Sequence, residues 1–320
     1  MKNASKLKTE HDAMKTILIT GCGGFIGSHL AEYFSGRYAI VALDTFSRGA
    51  GNLAGIPNLE LVNGSILDTE CVASAVEKTD YVLHQAAQTS VPASVENPNA
   101  TIETNVTGTL NVLESALEHK VKKVVLASSC AVYGNAKLPA GEWAAPAPLS
   151  PYAESKLKNE RQAAGFAAKG LPTACLRYFN IYGPRQAPDS PYSAVIPRFI
   201  HTILSGRRIT FYGDGKQTRD FVYVRDVARA NELAMLSKSA GVFNVCSGKA
   251  VSLIGLAELI MKLTGKKTEP LFEPGRKGDI RHMYGSPELA KKELGFEAKV
   301  SLEEGLKETI DYFIEKQTQK

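Results

Sequence analysis

Thirteen residues near the N-terminus, KTILITGCGGFIG (15–27), restrict the fold more than any other stretch of this chain. The apolar run Ile17-Leu18-Ile19 leads directly into Gly21, Gly24 and Gly27, and an amphipathic helix pattern (Phe25, Ile26, Leu30, Tyr33, Phe34) follows. A strand, a tight turn and a helix N-terminus in that order place a pyrophosphate on free backbone N–H groups. One glycine permits the turn, one admits the diphosphate to the backbone, and one lets the helix lie against the strand. The spacing departs from G-x-G-x-x-G, because Ile26 stands where the last glycine would fall. A second strand, Tyr38–Leu43, ends in Asp44. That is about 20 residues past the turn, where a carboxylate accepts from an adenosine ribose. An acid there repels a 2′-phosphate, so NAD is expected rather than NADP. The plainer alternative is that Asp44 merely opens a polar turn.

Beyond Asp44, strand-like runs (Leu59–Gly64, Tyr81–Ala87, Lys123–Ser129, Pro172–Asn180) alternate with helix-like runs (Thr69–Glu77, Asn97–His119, Tyr152–Lys169). Such alternation implies an α/β, doubly wound parallel sheet of Rossmann type, with ligands at the carboxyl ends of the strands. From Ile181 the rhythm changes, with Gly183, Pro184, Pro188, Pro191 and Pro197 in close succession. Strand and helix return at Asp220–Val224, Arg225–Ser237 and Val242–Ser247, and helical runs follow at Ser252–Thr264 and Ser301–Lys316. The expected organisation is a nucleotide-binding domain from 15–180 and 218–249, a smaller α+β substrate domain from 181–217 and 250–320, and a flexible tail at 1–14. A length of 320 residues suits two such units.

Composition narrows the function. With 44% hydrophobic and 22% charged residues the chain is ordinary globular protein. The charge of +5 comes partly from lysines at the two ends, and no dense basic cluster interleaved with aromatics points to nucleic acid. Five cysteines, an odd number without framework spacing, indicate a reducing, cytoplasmic setting. Cys22 and Cys130 read as small packing residues. The six histidines lack metal-ligand spacing, so no metal is expected. No apolar stretch is long enough for a membrane span, and residues 1–13 lack the apolar core of a signal peptide.

The chemistry centres on Tyr152-Ala-Glu-Ser-Lys156, after a Pro-Leu-Ser-Pro turn. Four residues apart on a helix is one face. An ammonium beside a phenol lowers its pKa, and a phenolate can take a hydroxyl proton while hydride leaves the same carbon for a nicotinamide. The spacing recurs at Tyr133/Lys137, Tyr212/Lys216 and Tyr312/Lys316. The first two are followed by glycine in loop-like sequence, and the third lies on the terminal helix. Only Tyr152/Lys156 joins a helix to the end of a preceding strand, whose Ser128-Ser129 hydroxyls would project into the same cleft.

HQAAQTSV (84–91), NVTGT (105–109), SSCAVYG (128–134), PYAESK (151–156), RYFNIYGPRQ (177–186), GDGKQTRDFVYVRDV (213–227) and RKGD (276–279) follow the glycine turn in order. With them the chain, from Lys15 to about Ile314, resembles the extended short-chain dehydrogenase/reductases, and among these the UDP-hexose 4-epimerases. The resemblance implies Tyr152 as base, Lys156 on the nicotinamide ribose, and Ser129 on the reacting sugar hydroxyl. It implies NAD contacts at Gly21, Gly24, Phe25, Ile26, Gly27, Asp44, Thr45, Ser47, Arg48, Ser65, Ile66, Gln85, Ala86, Ala87 and Asn105, the last fixing the cofactor-side loop. Asn180 and Arg219 match ligands of the UDP phosphates, Arg276 and Asp279 the clamp on uridine phosphate and ribose, and Tyr212 an aromatic on uracil. Ser90 is a further substrate contact. For Arg219 the alternative is an ion pair with Asp220, and for Tyr212 ordinary core packing.

Some positions depart from the family pattern. Ser65 stands where an aspartate usually meets adenine, and Asp68 is too far along to replace it. Thr89 stands where some epimerases carry lysine. Cys130 and Ala131 occupy the positions of the acid–base pair of 4,6-dehydratases, which makes dehydration a poor fit. The implied reaction is reversible inversion at C4 of UDP-glucose/UDP-galactose, with UDP-GlcNAc/UDP-GalNAc as a further pair. A UDP-glucuronate 4-epimerase or decarboxylase is an alternative, and a non-catalytic sensor is a more remote one. Met283, four past Asp279, is expected on the sugar pocket wall; otherwise it faces the core. An apolar surplus on Asn97–His119 and Tyr152–Lys169, paired as in family members, leads to the expectation of a homodimer through a four-helix contact.

Overall fold

The computed structural model describes residues 14–47, 49–187, 194–275 and 280–318. Residues 1–13 of the expected tail at 1–14, with Arg48, Arg276 and Asp279, lie outside the described residues. β1 (Thr16–Thr20), α1 (Phe25–Phe34), β2 (Ala39–Asp44), β3 (Leu59–Asn63), α2 (Thr69–Val76) and β4 (Tyr81–His84) form the first half of the nucleotide fold. There follow α3 (Val91–Glu96), α4 (Pro98–Ile102), a π turn (Glu103–Thr107), α5 (Gly108–Glu118), β5 (Lys123–Ser129), α6 (Pro151–Ala168) and β6 (Thr173–Tyr178). The carboxyl half contains β7 (Asn180–Tyr182), α7 (Val195–Leu204), β8 (Thr210–Tyr212), β9 (Thr218–Arg219), β10 (Phe221–Tyr223), α8 (Val224–Leu236) and β11 (Gly241–Val245). It ends with β12 (Val251–Ser252), α9 (Leu253–Thr264), β13 (Leu271–Glu273), β14 (His282–Met283), α10 (Glu288–Leu294) and α11 (Leu302–Thr318).

The central sheet has seven strands in the order β11-β6-β5-β4-β1-β2-β3, and every pairing in it is parallel. The doubly wound fold expected from the strand–helix alternation is therefore present. The central strands are buried on both faces, and so read as continuous apolar runs: Ile17, Leu18 and Ile19 on β1 and Val124, Val125 and Leu126 on β5 have almost no exposed surface. Leu18, Val82 and Val124 pack with the α2–α5 side, whereas Ile17, Ile19 and Leu83 pack with α1 and α8. The second cluster continues through Ile196, Phe199 and Ile203 of α7, Leu256 and Ile260 of α9, and Leu306 and Ile310 of α11.

Three segments differ from the sequence-based expectation. The run Asn97–His119 is interrupted: Asn97 caps α4, and the π turn separates α4 from α5. A π turn inserts an extra residue per turn, which a pattern of apolar spacings does not reveal. Pro172–Asn180 is two strands, with β7 leaving the main sheet to pair with β10. The apolar surplus on the two long helices is also not found on α6: its exposed residues are Glu154, Lys158, Arg161, Ala164, Gly165 and Ala168.

Candidate active site

The turn after β1 has the backbone its glycines require. Gly21 has φ +69°, and a Cβ there would meet the Ala86 backbone nitrogen at 2.7 Å. A Cβ on Gly27 would meet the Gly21 carbonyl oxygen at 2.2 Å, so α1 can approach β1 only with glycine there. Gly24 is the N-cap of α1 and supplies no side-chain cap. The first-turn amides of Phe25 and Ile26 thus face the turn without a side-chain partner, as an anion site at a helix N-terminus requires. At the end of β2, Asp44 accepts from the Gly23 N–H (3.0 Å) through Oδ2 and from the Phe46 N–H (2.8 Å) through Oδ1. An ionised carboxylate has acceptor sites left after two such bonds. The residues present therefore fit a dinucleotide whose diphosphate lies over α1 and whose ribose reaches Asp44.

Around this turn several expected contact residues have local duties. The Ser65 hydroxyl accepts from the Leu67 N–H (3.1 Å). Asp68 caps α2, its Oδ1 accepting from the Glu70 and Cys71 N–H groups. Ile66 is buried against the Gly108 backbone, where a Cβ would meet its Cδ1 at 2.5 Å. Ser90 is the N-cap of α3 and accepts from the Ala93 N–H (3.1 Å). Gln85 accepts from the Tyr178 hydroxyl at 3.1 Å, and Ala86 N–H donates to Thr20 Oγ1 at 3.2 Å. Thr45, Ser47 and Ala87 lie in loops beyond β2 and β4. Asn105 is fully buried in the π turn and clasps Gln88 from both sides: Oδ1 accepts from its N–H (2.7 Å) and Nδ2 donates to its carbonyl (3.0 Å). Nδ2 also donates to Ser155 Oγ at 2.9 Å, which ties this loop to α6.

Tyr152 and Ser129 come together as the sequence suggests. Ser129 ends β5, its Oγ accepts from the Ala131 N–H (3.1 Å), and its hydroxyl lies near enough to the Tyr152 phenol to favour the phenolate. The ionisation state differs from expectation. Burial pushes the Tyr152 phenol up to about 12, only partly offset by the Ser129 hydroxyl, and Lys156 does not lower it. The reason is geometric: Lys156 Nζ donates to the Ala127 carbonyl on β5 at 2.8 Å. Burial lowers the Lys156 ammonium to about 8. The Cys130 thiol is pushed up to about 12 by burial, and Cys22 likewise, as befits packing residues.

The other Tyr-x-x-x-Lys pairs are placed elsewhere. Tyr133 is fully buried and donates to Asn244 Oδ1 at 2.7 Å, and Tyr312 lies on α11. Tyr212 is partly buried on β8, and its carbonyl accepts from Gln217 Nε2. Asn180 Nδ2 donates to the Asp220 carbonyl at 3.2 Å. The Arg219–Asp220 ion pair is not formed. Asp220 is fully buried and accepts from Ser247 N–H (2.8 Å), Ser247 Oγ (2.6 Å), Gly248 N–H (2.9 Å) and Gly285 N–H (3.2 Å). Arg219 instead donates to the carbonyls of Thr218 (2.9 Å) and Arg281 (3.3 Å). Met283 is 4% exposed and clusters with Val132, Phe179 and Cys246, with Cys130 packed alongside, beneath the end of β5.

Sequence reasoning left several residues of this region unassigned. Thr20, His84, Thr109 and Asn159 form a buried hydrogen-bonded chain, and Ser128, Glu160 and Arg177 another. The signal was present in the i,i+4 spacings Asn105/Thr109 and Ser155/Asn159, polar residues on helix faces turned inward.

A glycine turn after β1 leading into a helix without a side-chain cap, with a serine at the end of β5 beside a tyrosine of α6, defines a dinucleotide-binding fold with a hydroxyl pair at the carboxyl ends of its strands. The family model of NAD dependent epimerases/dehydratases matches residues 17–246, and the chain belongs to that family, with NAD as its cofactor. A UDP-N-acetyl-alpha-D-glucosaminuronate decarboxylase of Bacillus cytotoxicus is 40% identical over 94% of this chain and 98% of its own. The UDP-glucose 4-epimerase of Thermotoga maritima, solved with UDP-glucose, is 38% identical with a TM-score of 0.89, covering 94% of this chain and 99% of that one. The Thermus thermophilus UDP-glucose 4-epimerase, solved with NAD, is 35% identical with a TM-score of 0.85, covering 93% and 99%. Among the described residues, no helix is long and apolar enough to cross a membrane, and no cluster of metal-ligating side chains occurs.

Proposed function

We propose that the chain is a UDP-hexose 4-epimerase, reversibly inverting C4 through a 4-keto sugar. The observation that carries this reading is the placing of the Ser129 hydroxyl beside the Tyr152 phenol, with Cys130 and Ala131 directly after Ser129. The site offers one acid–base group for a carbinol carbon and none directly after Ser129 for elimination at a neighbouring carbon. NAD supplies the hydride acceptor and donor, on α1 and Asp44. Ser129 orients the 4-hydroxyl, and Tyr152, in the phenolate form that must be reached before reaction, takes its proton and later returns it. Lys156 holds the nicotinamide ribose. Asn180, Arg219 and Tyr212, with Arg276 and Asp279, grip UDP firmly, so that the keto sugar can turn about its diphosphate link and present its other face. In this scheme 15–180 with 218–249 holds NAD and lends Asn180 and Arg219 to the diphosphate, and 181–217 with 250–320 supplies the rest of the UDP-sugar site.

A second reading, action on a UDP-uronic acid, is favoured by the 40% identity to the Bacillus cytotoxicus decarboxylase. Incubation with UDP-galactose, UDP-GalNAc and UDP-glucuronate, with chromatography of the products, separates the two. A C4 epimer of a neutral hexose supports the proposal. Loss of CO2 from the uronate, with no neutral epimer, refutes it.

A further inference from the structure

His84 closes β4 and is 3% exposed, yet none of the chemistry above uses it. Both its ring nitrogens are occupied: Nδ1 lies 2.7 Å from Thr20 Oγ1, and Nε2 lies 2.9 Å from Thr109 Oγ1. Proton counting fixes the direction of each bond. Thr109 has one hydroxyl hydrogen, and it is given to the Asn105 carbonyl at 2.6 Å, because a carbonyl can only accept. Asn159 Nδ2 donates into the same Thr109 oxygen at 3.1 Å. His84 Nε2 must therefore carry hydrogen and donate to Thr109. On the other side, Thr20 Oγ1 accepts from the Ala86 N–H at 3.2 Å and keeps its own hydrogen free to donate. In the neutral ring, with hydrogen on Nε2, Nδ1 is the acceptor of that hydrogen.

Burial agrees with this assignment, since it lowers the His84 imidazolium to about 3, with the nearby Lys156 charge acting in the same sense. The two arms reach different machinery. Thr20 immediately precedes Gly21, whose missing Cβ is what lets the turn lie on the Ala86 backbone. Thr109 secures the carbonyl of Asn105, whose side chain clasps Gln88 and reaches Ser155, and Ser155 Oγ donates to the Tyr152 carbonyl at 2.7 Å.

We propose that His84 is a positioning residue with two separable arms: Nδ1 sets the glycine turn that grips NAD, and Nε2–H sets the π turn that holds the 88–90 loop against the Tyr152 helix. The inference rests on the reading of Tyr152 as the acid–base group, and its test is chosen to be independent of turnover. Two amide variants divide the arms, because an Asn oxygen reaches the Nδ1 position and a Gln amide nitrogen the Nε2 position.

The readouts are the rate of NAD loss from the purified holoenzyme and hydrogen exchange at the Ala86 and Gln88 amides. His84→Asn is expected to keep NAD loss and Ala86 protection near wild type while Gln88 exchange quickens about tenfold, the factor carried by one net hydrogen bond. His84→Gln is expected to do the reverse, with NAD lost about tenfold faster and Gln88 still protected. Variants that behave alike in both readouts, or a loss confined to thermal stability, overturn the proposal. If one variant does not fold, the other decides by whether its two readouts separate. Wild-type failure to epimerise UDP-galactose counts against the proposed activity, while NAD loss and exchange still decide the role of His84.

Discussion

Lys156→Met should abolish function and stabilise the protein freed of NAD, and the size of the effect follows from the site. The wild-type ammonium falls from an ordinary 10.5 to about 8 because it is buried beneath the end of β5. A depressed folded-state pKa of a base means that the charged form is disfavoured in the fold. Below pH 8 the lysine is charged in both states, and the fold bears the whole difference. At about 1.4 kcal/mol per pH unit the fall corresponds to about 3 kcal/mol. Between pH 8 and 10.5 the unfolded chain is still charged while the fold is not, so the penalty shrinks to nothing. Methionine has a comparable unbranched stem, and what it loses is the 2.8 Å bond to the Ala127 carbonyl. After roughly 1 kcal/mol for that bond, the variant should be more stable at pH 7 by about 2 kcal/mol.

Urea unfolding of wild type and variant at several pH values between 7 and 10.5 measures this difference, because every other titrating group cancels between the two proteins. The advantage should decline steadily with pH. Saturating NAD should also narrow it, since cofactor hydroxyls offer the ammonium partners that methionine cannot use. A variant less stable than wild type at pH 7, by an amount that does not change with pH, refutes the argument. It would mean that the ammonium is well solvated or paired in the fold.

Tyr152→Phe should keep the fold and cut turnover by about 10²–10⁴, measured as conversion of UDP-galactose. Tyr133→Phe should instead leave hydride transfer in place and cost about 1–3 kcal/mol in urea unfolding, because it orphans the buried Asn244 oxygen. Met283→Ser should raise the ratio of kcat/KM for UDP-GalNAc over UDP-galactose and Met283→Tyr should lower it; no change from either shows that Met283 serves only the cluster with Phe179 and Cys246. Purified protein should release NAD on heat denaturation and need none added for turnover, whereas stoichiometric consumption of added NADPH would make it a reductase.

The nucleotide-binding half was legible because its physics is local. Buried parallel strands show as apolar runs, and the glycine turn shows because Gly21 and Gly27 occupy positions that no side chain could share. Segments whose shape depends on distant partners were not legible. Nothing in Asn97–His119 announces the π turn, which is bridged by Thr109 bonding back to Asn105 and by Asn105 reaching Gln88 and Ser155. The state of Tyr152 was misjudged for the same reason. Spacing puts Lys156 on its face of the helix, but the ammonium turns to a strand carbonyl that no helical pattern encodes. The alternative of Asp220 as a surface partner of Arg219 is settled only by Ser247, Gly248 and Gly285, which come to Asp220 from remote parts of the chain.

Helix α6 shows what this arrangement does for the chemistry. Its buried face is largely polar: Ser155, Lys156, Asn159 and Glu160 lie among Ala153, Ala163 and Phe166. Each polar member has a partner on a different element. Ser155 meets Asn105 in the π turn, Lys156 meets Ala127 on β5, and Asn159 meets Thr109 on α5. Glu160 accepts from Ser128 Oγ at 2.5 Å and forms a buried pair with Arg177, whose Nη2 donates at 2.7 Å. An apolar face could slide or rotate by a fraction of a turn and remain buried at little cost. This face cannot, because any slip leaves several buried polar groups without partners, at about 1–3 kcal/mol each. The polar face therefore contributes orientation more than net stability, which is left to the aliphatic clusters on either side of the sheet. The consequence falls on Tyr152, in the first turn of α6, whose phenol is kept beside Ser129 by a helix with one admissible register.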